Sequence, residues 1–328
     1  MAILFGEALL QAIRTASTDQ PVLIEDFLYA RNVLMLAGAP GTGKSIVMTQ
    51  LALASSTATP LFGVLPIPKP LSVYYLQLEG SENESYARIR RMQEKVHLNT
   101  QNLCWDFRKG LNLLDSRQAD QLLLDIASWR PPDILILDPL YQCVFGEIAK
   151  ELPSMALIRF VDLVIERFGC AVILNHHTHR ESYAPGTGQK IEEEDPFYGS
   201  QWLKAYVDTS YLLKPISGKY KNRIDLLNKK DRHSACLKQL MLHFDPESDT
   251  VSLEVPPGQK SSGYERALAF LLKCRQENRT THFHEIMEEC GISAAHLHRI
   301  QLMLIGKKVV RCDKRDADNH LRRVWEPL

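Results

Sequence analysis

The sequence predicts an α/β protein: a core with a mostly parallel sheet covered by helices, then a small separate C-terminal domain. Three observations predict it. An apolar run and a helical run bracket Gly38, Ala39, Pro40, Gly41, Thr42, Gly43, Lys44 and Ser45, which fit G-x-x-x-x-G-K-[ST] at every fixed position. Buried-strand and helix signals alternate from there to His177, the order of a doubly covered parallel sheet. Finally, "PPGQKSSG" at 256–263 has the composition of a linker, and the charge balance changes behind it. Residues 260–328 hold 13 Lys/Arg against 9 Asp/Glu, whereas the preceding chain holds 26 against 30.

Each element has its own justification. Residues 1–31 read as a helix followed by a loop. Asn32 to Ala37 is a short apolar strand, and Ile46 to Ala54 has helical spacing. The four prolines of "TPLFGVLPIPKP" mark a surface connection. "LSVYYLQLEG" is a β-branched and aromatic strand running out at Glu79, and "SENESYARIRRMQEKV" is a helix capped by Ser81 or Asn83. A further helix covers Ala119 to Trp129. "PPDILILDPL" is an apolar strand between prolines, "SMALIRFVDLVIERFG" a helix with a glycine stop, and "CAVILNHH" a buried strand. From Thr178 to Gly199 the chain turns polar and includes "IEEED", a loop long enough to be functional. "AYVDTSYLLKP", "NRIDLLNKK", "LKQLMLHFD" and "TVSLEV" read as strands of antiparallel character. The expected domains are 1–255, a linker at 256–263, and 264–328.

Composition narrows the function classes. The 328 residues are 45% hydrophobic, enough for a proper core, and the 39 basic residues balance 39 acidic ones. No global field therefore favours nucleic acid or membrane, although a local basic surface is still allowed. Seven cysteines without a CxxC pair suit a reducing compartment. The N-terminus lacks a basic n-region, and no apolar run approaches the ~20 residues of a membrane span. The expectation is a soluble, cytoplasmic protein with no membrane partner.

The glycine-rich stretch points to phosphate chemistry. Glycines let backbone N–H groups curl around an anion, and the following helix N-terminus adds its positive dipole end. Gly38 through Ile46 is the expected ATP-binding stretch, with Lys44 reaching the β- and γ-phosphates and the Ser45 hydroxyl holding Mg²⁺. Asp138, at the end of "ILILD", is placed to support the same Mg²⁺ directly or through water. Glu79 ends the strand that follows the phosphate-loop helix, where a carboxylate can polarise the attacking water. Glu82 and Glu84 are its competitors on the next turn. His176 and His177, just past a third buried strand, can contact a γ-phosphate. A zinc site is the rival for histidines 176, 177 and 179, but no cysteine or acidic pair stands nearby at ligand spacing.

Phosphate loop, strand-end glutamate, "LILD" and "NHH", in this order, resemble the RecA/DnaB superfamily over roughly residues 15–255. Within it the chain looks most like the RepA-type branch, the small hexameric replicative helicases of plasmids and mobile elements. The resemblance implies a RecA-like fold with Glu79 as catalytic carboxylate and Asp138 as the Walker B residue. His176 would be the phosphate sensor, with His177 as a substitute. The stretch His179 to Tyr198 would meet single-stranded DNA in a ring channel, and "GSQWLKAYVDTSYLL" is similar to the family's segment after that loop. Lys230 and Arg232 match the K-x-R pair that reaches a neighbouring subunit's γ-phosphate, with Lys229 as an alternative register. They have no evident task inside their own subunit. A homo-oligomer, hexamer or filament, is therefore expected. The acidic Glu192 to Asp195 and the lack of a primase-binding N-terminal domain depart from the pattern.

The tail has its own pattern. "YERALAFLLKCRQ" is amphipathic, "HFHEIMEECGISAAHLHRIQLMLIGKKVVRC" gives helix, Gly291 turn and a second helix capped by Ser293, and two strands follow. This is the order of a winged helix, with His296, His298 and Arg299 on its second helix. Lys307, Lys308, Lys314 and Arg315 would lie near duplex phosphates, unless the domain serves protein contact. The leading reading is an ATP-driven motor on DNA, a replicative helicase of a mobile element. The alternative is a non-translocating ATP switch acting through the winged helix.

Overall fold

The structure, a computed structural model, describes residues 5–15, 20–145, 150–178, 201–215, 222–232, 236–253, 267, 270–271, 273–274, 277, 279–291, 309–315 and 321–327. The expected DNA loop from His179 to Tyr198, the linker at 256–263 and the tail's second helix, with His296, His298, Arg299, Lys307 and Lys308, lie outside these residues.

The chain divides into two compact units, Met1–Val251 and Ser252–Leu328. The first opens with helix α1 (Gly6–Thr15), which buries no side chain, and a hairpin of β1 (Val22–Ile24) and β2 (Leu28–Tyr29) where a loop was expected. The phosphate-loop strand β3 (Val33–Gly38) is buried at every position, as a strand covered on both faces must be. Helix α2 (Lys44–Thr57) follows, then β4 (Val73–Gln77), α3 (Glu82–Met92), β5 (Leu103–Phe107), α4 (Ser116–Trp129) and β6 (Ile134–Asp138). A 3-10 turn (Leu140–Cys143), α5 (Glu151–Phe168), β7 (Ala171–His177), α6 (Gln201–Tyr206) and β8 (Thr209–Pro215) come next. The last strands are β9 (Arg223–Asp231), β10 (Gln239–Asp245) and β11 (Thr250–Leu253).

Among the described residues nine strands form one sheet in the order β11-β10-β9-β8-β3-β7-β6-β4-β5. From β8 to β5 every neighbouring pair is parallel, while β9 runs antiparallel to β8 and to β10. The expectation of antiparallel pairing therefore fails for β8 on one side: it lies parallel to β3, with Gly38 opposite Leu213. The edge strand β5, unpredicted, has Leu103, Cys104, Trp105, Asp106 and Phe107 all half-buried, so no alternation announced it.

Strand periodicity sorts the two faces. Val33 and Met35, Leu135 and Leu137, and Val172 and Leu174 join a core with Leu122 and Ile126 of α4, Leu157 and Phe160 of α5, and Leu203 of α6. The alternate residues look the other way, toward α2 and α3. There Thr49 of α2 touches Tyr75, and Ser85 of α3 bonds Gln77 at 2.8 Å. Caps fall where local chemistry puts them. Ser81 accepts from the Glu84 N–H, Asp115 from the Arg117 N–H, and Gly169 ends α5 at φ 68°.

The proline-rich connection is not a surface segment. Leu61, Phe62, Leu65 and Ile67 are all buried, Leu61 bridges Leu65, and the Phe62 ring meets Phe27 edge-on at 6.4 Å. The prolines set its turns while its apolar residues between them fill the core.

In the second unit, helix α7 (Phe283–Cys290) ends at Gly291, φ 59°. Strands β12 (Val309–Arg315) and β13 (Leu321–Pro327) pair antiparallel, Val309 opposite Pro327. That order matches the helix, glycine turn and strand pair read from the sequence, with Lys314 and Arg315 on β12.

Candidate nucleotide site

The site is built at the C-terminal edge of the parallel strands, where open α/β sheets place their ligands. Gly38 closes β3 so near β8 that a Cβ there would stand 2.8 Å from Thr42 Oγ1 and 2.9 Å from the Leu213 carbonyl. Gly43 has φ 89°, in the left-handed region, and leads directly into α2 with no side chain capping its N-terminus. The first-turn N–H groups of α2, with the dipole behind them, therefore face the loop. The Lys44 ammonium donates to the carbonyls of Gly38 (2.8 Å) and Ala39 (2.9 Å). Burial lowers its pKa to about 8, against the opposing pull of the Asp138 and Glu79 carboxylates. This cradle, with an amine and an uncapped helix start, fits a polyphosphate. Ser45, half-buried on the first turn of α2, and Asp138 would supply oxygen donors of the kind Mg²⁺ takes.

Asp138 ends β6 almost fully buried, and both its oxygens are engaged. The Tyr75 hydroxyl donates to Oδ2 and the Asn175 amide to Oδ1. Burial raises its pKa, the Tyr75 and Asn175 bonds oppose that rise, and the Glu79 carboxylate adds to it; the nearby Arg88 guanidinium pulls the other way. Tyr75 is itself set by a stack on Trp105, 4.1 Å between ring centroids, and the Trp105 N–H bonds Gln77 Oε1 at 2.8 Å.

Glu79 stands two residues past β4, half-exposed. Its Oε2 accepts from the Tyr141 hydroxyl, and its Oε1 lies 3.9 Å from His177 Nε2, an ion-pair distance rather than a hydrogen bond. His177 beside it is the main cause of a lowered pKa, burial works against that, and Tyr141 and Lys44 add to it. Glu82 and Glu84 are exposed on the first turn of α3, which leaves Glu79 as the carboxylate that shares a field with Lys44 and Asp138.

Two expectations need correction. The structure places His177 beside Glu79, not His176. Asn175 and His177 share the face of Asp138 because strand side chains alternate, and this turns His176, 2% exposed, to the other face with Val172 and Leu174. Lys230 and Arg232 do have partners in their own subunit. Lys230 Nζ donates to the carbonyls of Lys204 (2.6 Å) and Ala205 (2.9 Å), and Arg232 pairs with Asp208 at 2.8 Å while also bonding the Ala205 carbonyl. They cap the C-terminus of α6, whose last carbonyls have no intrahelical donors. Burial and Arg232 lower the Lys230 pKa.

Tyr75, Tyr141 and Asn175 were missed from the sequence. Asn175 was within reach, since it lies two residues before His177 on the same strand. Tyr141 carries no sequence signal.

The AAA domain family matches residues 7–182, more than half of the chain. The structure of the ATPase domain of G40P is similar with a TM-score of 0.55 at 13% identity, covering 75% of this chain and 96% of that one. A DnaB-like replicative helicase, described with its interactions with primase, gives 0.53 at 14% identity, covering 75% and 67%. At such identities the likeness speaks for the fold alone. No curated protein matches the chain by sequence. The chain belongs to the AAA domain family, and its fold is similar to that of the G40P ATPase domain.

Proposed function

We propose that this protein is an ATP-hydrolysing motor that acts on DNA as a ring or filament, a replicative helicase of a mobile element. The observation that carries the reading is where Lys230 and Arg232 sit. Lys230 pairs with Ser210 at the start of β8, whereas Gly38 of the phosphate loop pairs with Leu213. Three residues at ~3.3 Å each put the Lys230 backbone roughly 10 Å toward the opposite edge of the sheet from its own phosphate loop, and Arg232, bonded to the Asp208 carbonyl, lies further still in the same direction. Cations on that far edge suit a neighbour's γ-phosphate better than their own.

In this reading the phosphate-loop N–H groups and Lys44 bind the triphosphate, and Glu79 orients the attacking water. Mg²⁺, held by Ser45 and by Asp138 through water, would neutralise charge on the phosphoryl group. Contact through water suits an Asp138 whose two oxygens already accept hydrogen bonds. Domains 1–255 and 264–328, joined by 256–263, would divide ATP chemistry from contact with duplex DNA or a protein through a winged helix.

A second reading, an ATP switch that does not translocate, is favoured by the acidic run Glu192 to Asp195 in the segment expected to meet DNA. ATP-dependent strand displacement separates the two. A forked duplex opened only with ATP, and not by Lys44→Ala protein, is the expected result. ATP turnover without displacement on any fork or tailed duplex would leave the switch.

A further inference from the structure

We infer that Tyr141 is a positioning residue for the water-activating carboxylate, fixing one oxygen of Glu79 so that the other is presented to the reacting water. The inference rests on the reading of Glu79 given above. Tyr141 lies in the 3-10 turn directly after β6, three residues past Asp138, so the strand that sets Asp138 also sets this hydroxyl. Its O–H donates to Glu79 Oε2. The tyrosine ring in turn rests against the His177 imidazole, 5.4 Å between centroids and tilted by 55°. Glu79 Oε1 faces His177 Nε2 at 3.9 Å, longer than an ordinary hydrogen bond. The carboxylate is thus asymmetric: Oε2 is anchored, and Oε1 is the oxygen left to take a proton from water.

The anchor matters because Glu79 stands beyond the end of its strand. Its backbone carbonyl is held by Gln77 Nε2 at 2.8 Å, and Gly80 follows at φ 82°, so the main chain there is fixed. The side chain is half-exposed, however, and free rotamers would spread it over several positions. A single donor on Oε2 selects one of them. General-base catalysis depends on this kind of placement to within hydrogen-bond reach.

Tyr141→Phe tests the inference, because it removes the hydroxyl and keeps the ring on His177. Tyr141 is 38% exposed, so the variant should keep its fold and its thermal midpoint. Loss of a hydrogen bond to a charged group should lower kcat about tenfold, with KM within about twofold. The groups facing Glu79 are Tyr141 from the 3-10 turn, His177 from β7, Lys44 from α2 and Asp138 from β6. Removing the Tyr141 donor from this set raises the Glu79 pKa, so the acid limb of the kcat profile should move to higher pH. A merely structural tyrosine would not move that limb. In a Glu79→Gln background the same change should cost nothing further. Unchanged kcat and an unmoved acid limb in Tyr141→Phe, with Glu79→Gln inactive, would overturn the anchor alone. Full turnover in Glu79→Gln itself would instead overturn the reading on which the anchor rests.

Discussion

Arg232→Ala separates a structural cation from one that works in the next subunit. Among the described residues Arg232 is about half exposed and makes one ion pair, to Asp208 at 2.8 Å, plus bonds to the last carbonyls of α6. An exposed pair of this kind contributes about 0–1 kcal/mol after solvent screening, and a cation at a helix C-terminus roughly another 0.3–1. The variant should therefore lose about 1–2 kcal/mol, or a few degrees in Tm for a chain of this size. A donor supplied in trans to a transferred phosphoryl group is worth far more, about 10³–10⁵ in kcat. The measurement is ATP turnover against protein concentration, alongside a thermal scan. Expected are a nearly native Tm, intact nucleotide binding and turnover down by about three orders of magnitude. Mixing with Glu79→Gln subunits should restore activity, since about a quarter of randomly formed interfaces then join an intact Glu79 to an intact Arg232. Full turnover in a monomer, independent of concentration, would refute the shared site and with it the motor.

Other consequences are simpler to measure. Lys44→Ala should abolish turnover and greatly weaken ATP binding by calorimetry. Because burial holds the free Lys44 pKa near 8 and bound phosphates favour the ammonium, wild-type binding at pH 9 should take up close to one proton. Affinity should then fall by up to about tenfold per pH unit above 8, and buffers of different ionisation enthalpy report the uptake; zero uptake contradicts the assignment. Glu79→Gln should bind ATP normally and hydrolyse it about 10²–10⁴-fold more slowly, while Glu82→Gln and Glu84→Gln keep full turnover. Gly38→Ala should lower stability by about 1–3 kcal/mol and weaken ATP binding, because its Cβ would press on the Leu213 backbone. A Tm equal to wild type would show that β8 gives way.

What was legible in the sequence follows from which signals are local. The phosphate loop, the apolar strands of β3, β6 and β7, and the glycine stop at Gly169 depend on neighbours in the chain, and the structure has each of them. The parallel pairing of β8 was not legible, because direction is fixed by which strand lies alongside it, not by alternation within "TSYLL". Leu61, Phe62 and Leu65 were hidden behind prolines, which signal turns but say nothing of burial. Between the two histidines, one position along the strand decides which side of the sheet each faces, and the side that His177 shares with Asn175 is the side on which Asn175 meets Asp138. Tyr141 meets Glu79 from a turn 62 residues further along the chain, a separation no local pattern spans.

Asp208 adds a link that neither site half shows alone. One of its oxygens accepts the backbone N–H of Val33, the first residue of the strand that carries the phosphate loop, at 3.0 Å. Its other oxygen holds Arg232, the cation proposed to act on a neighbour, and the Arg232 N–H returns to the Asp208 carbonyl at 2.9 Å. One buried-edge carboxylate thus ties β3 to the segment that ends in Lys230 and Arg232. β3 is buried at every position, and a close-packed interior of low compressibility transmits strain. Drawing Arg232 toward a neighbouring phosphate must break or stretch its pair with Asp208 and its bonds to α6. The cost of that exchange is small, as the exposed geometry shows, so engagement with a neighbour can win it. In a shared-site assembly, α6 would then lose its C-terminal cap in every subunit whose finger is engaged, and keep it in every subunit whose finger is not.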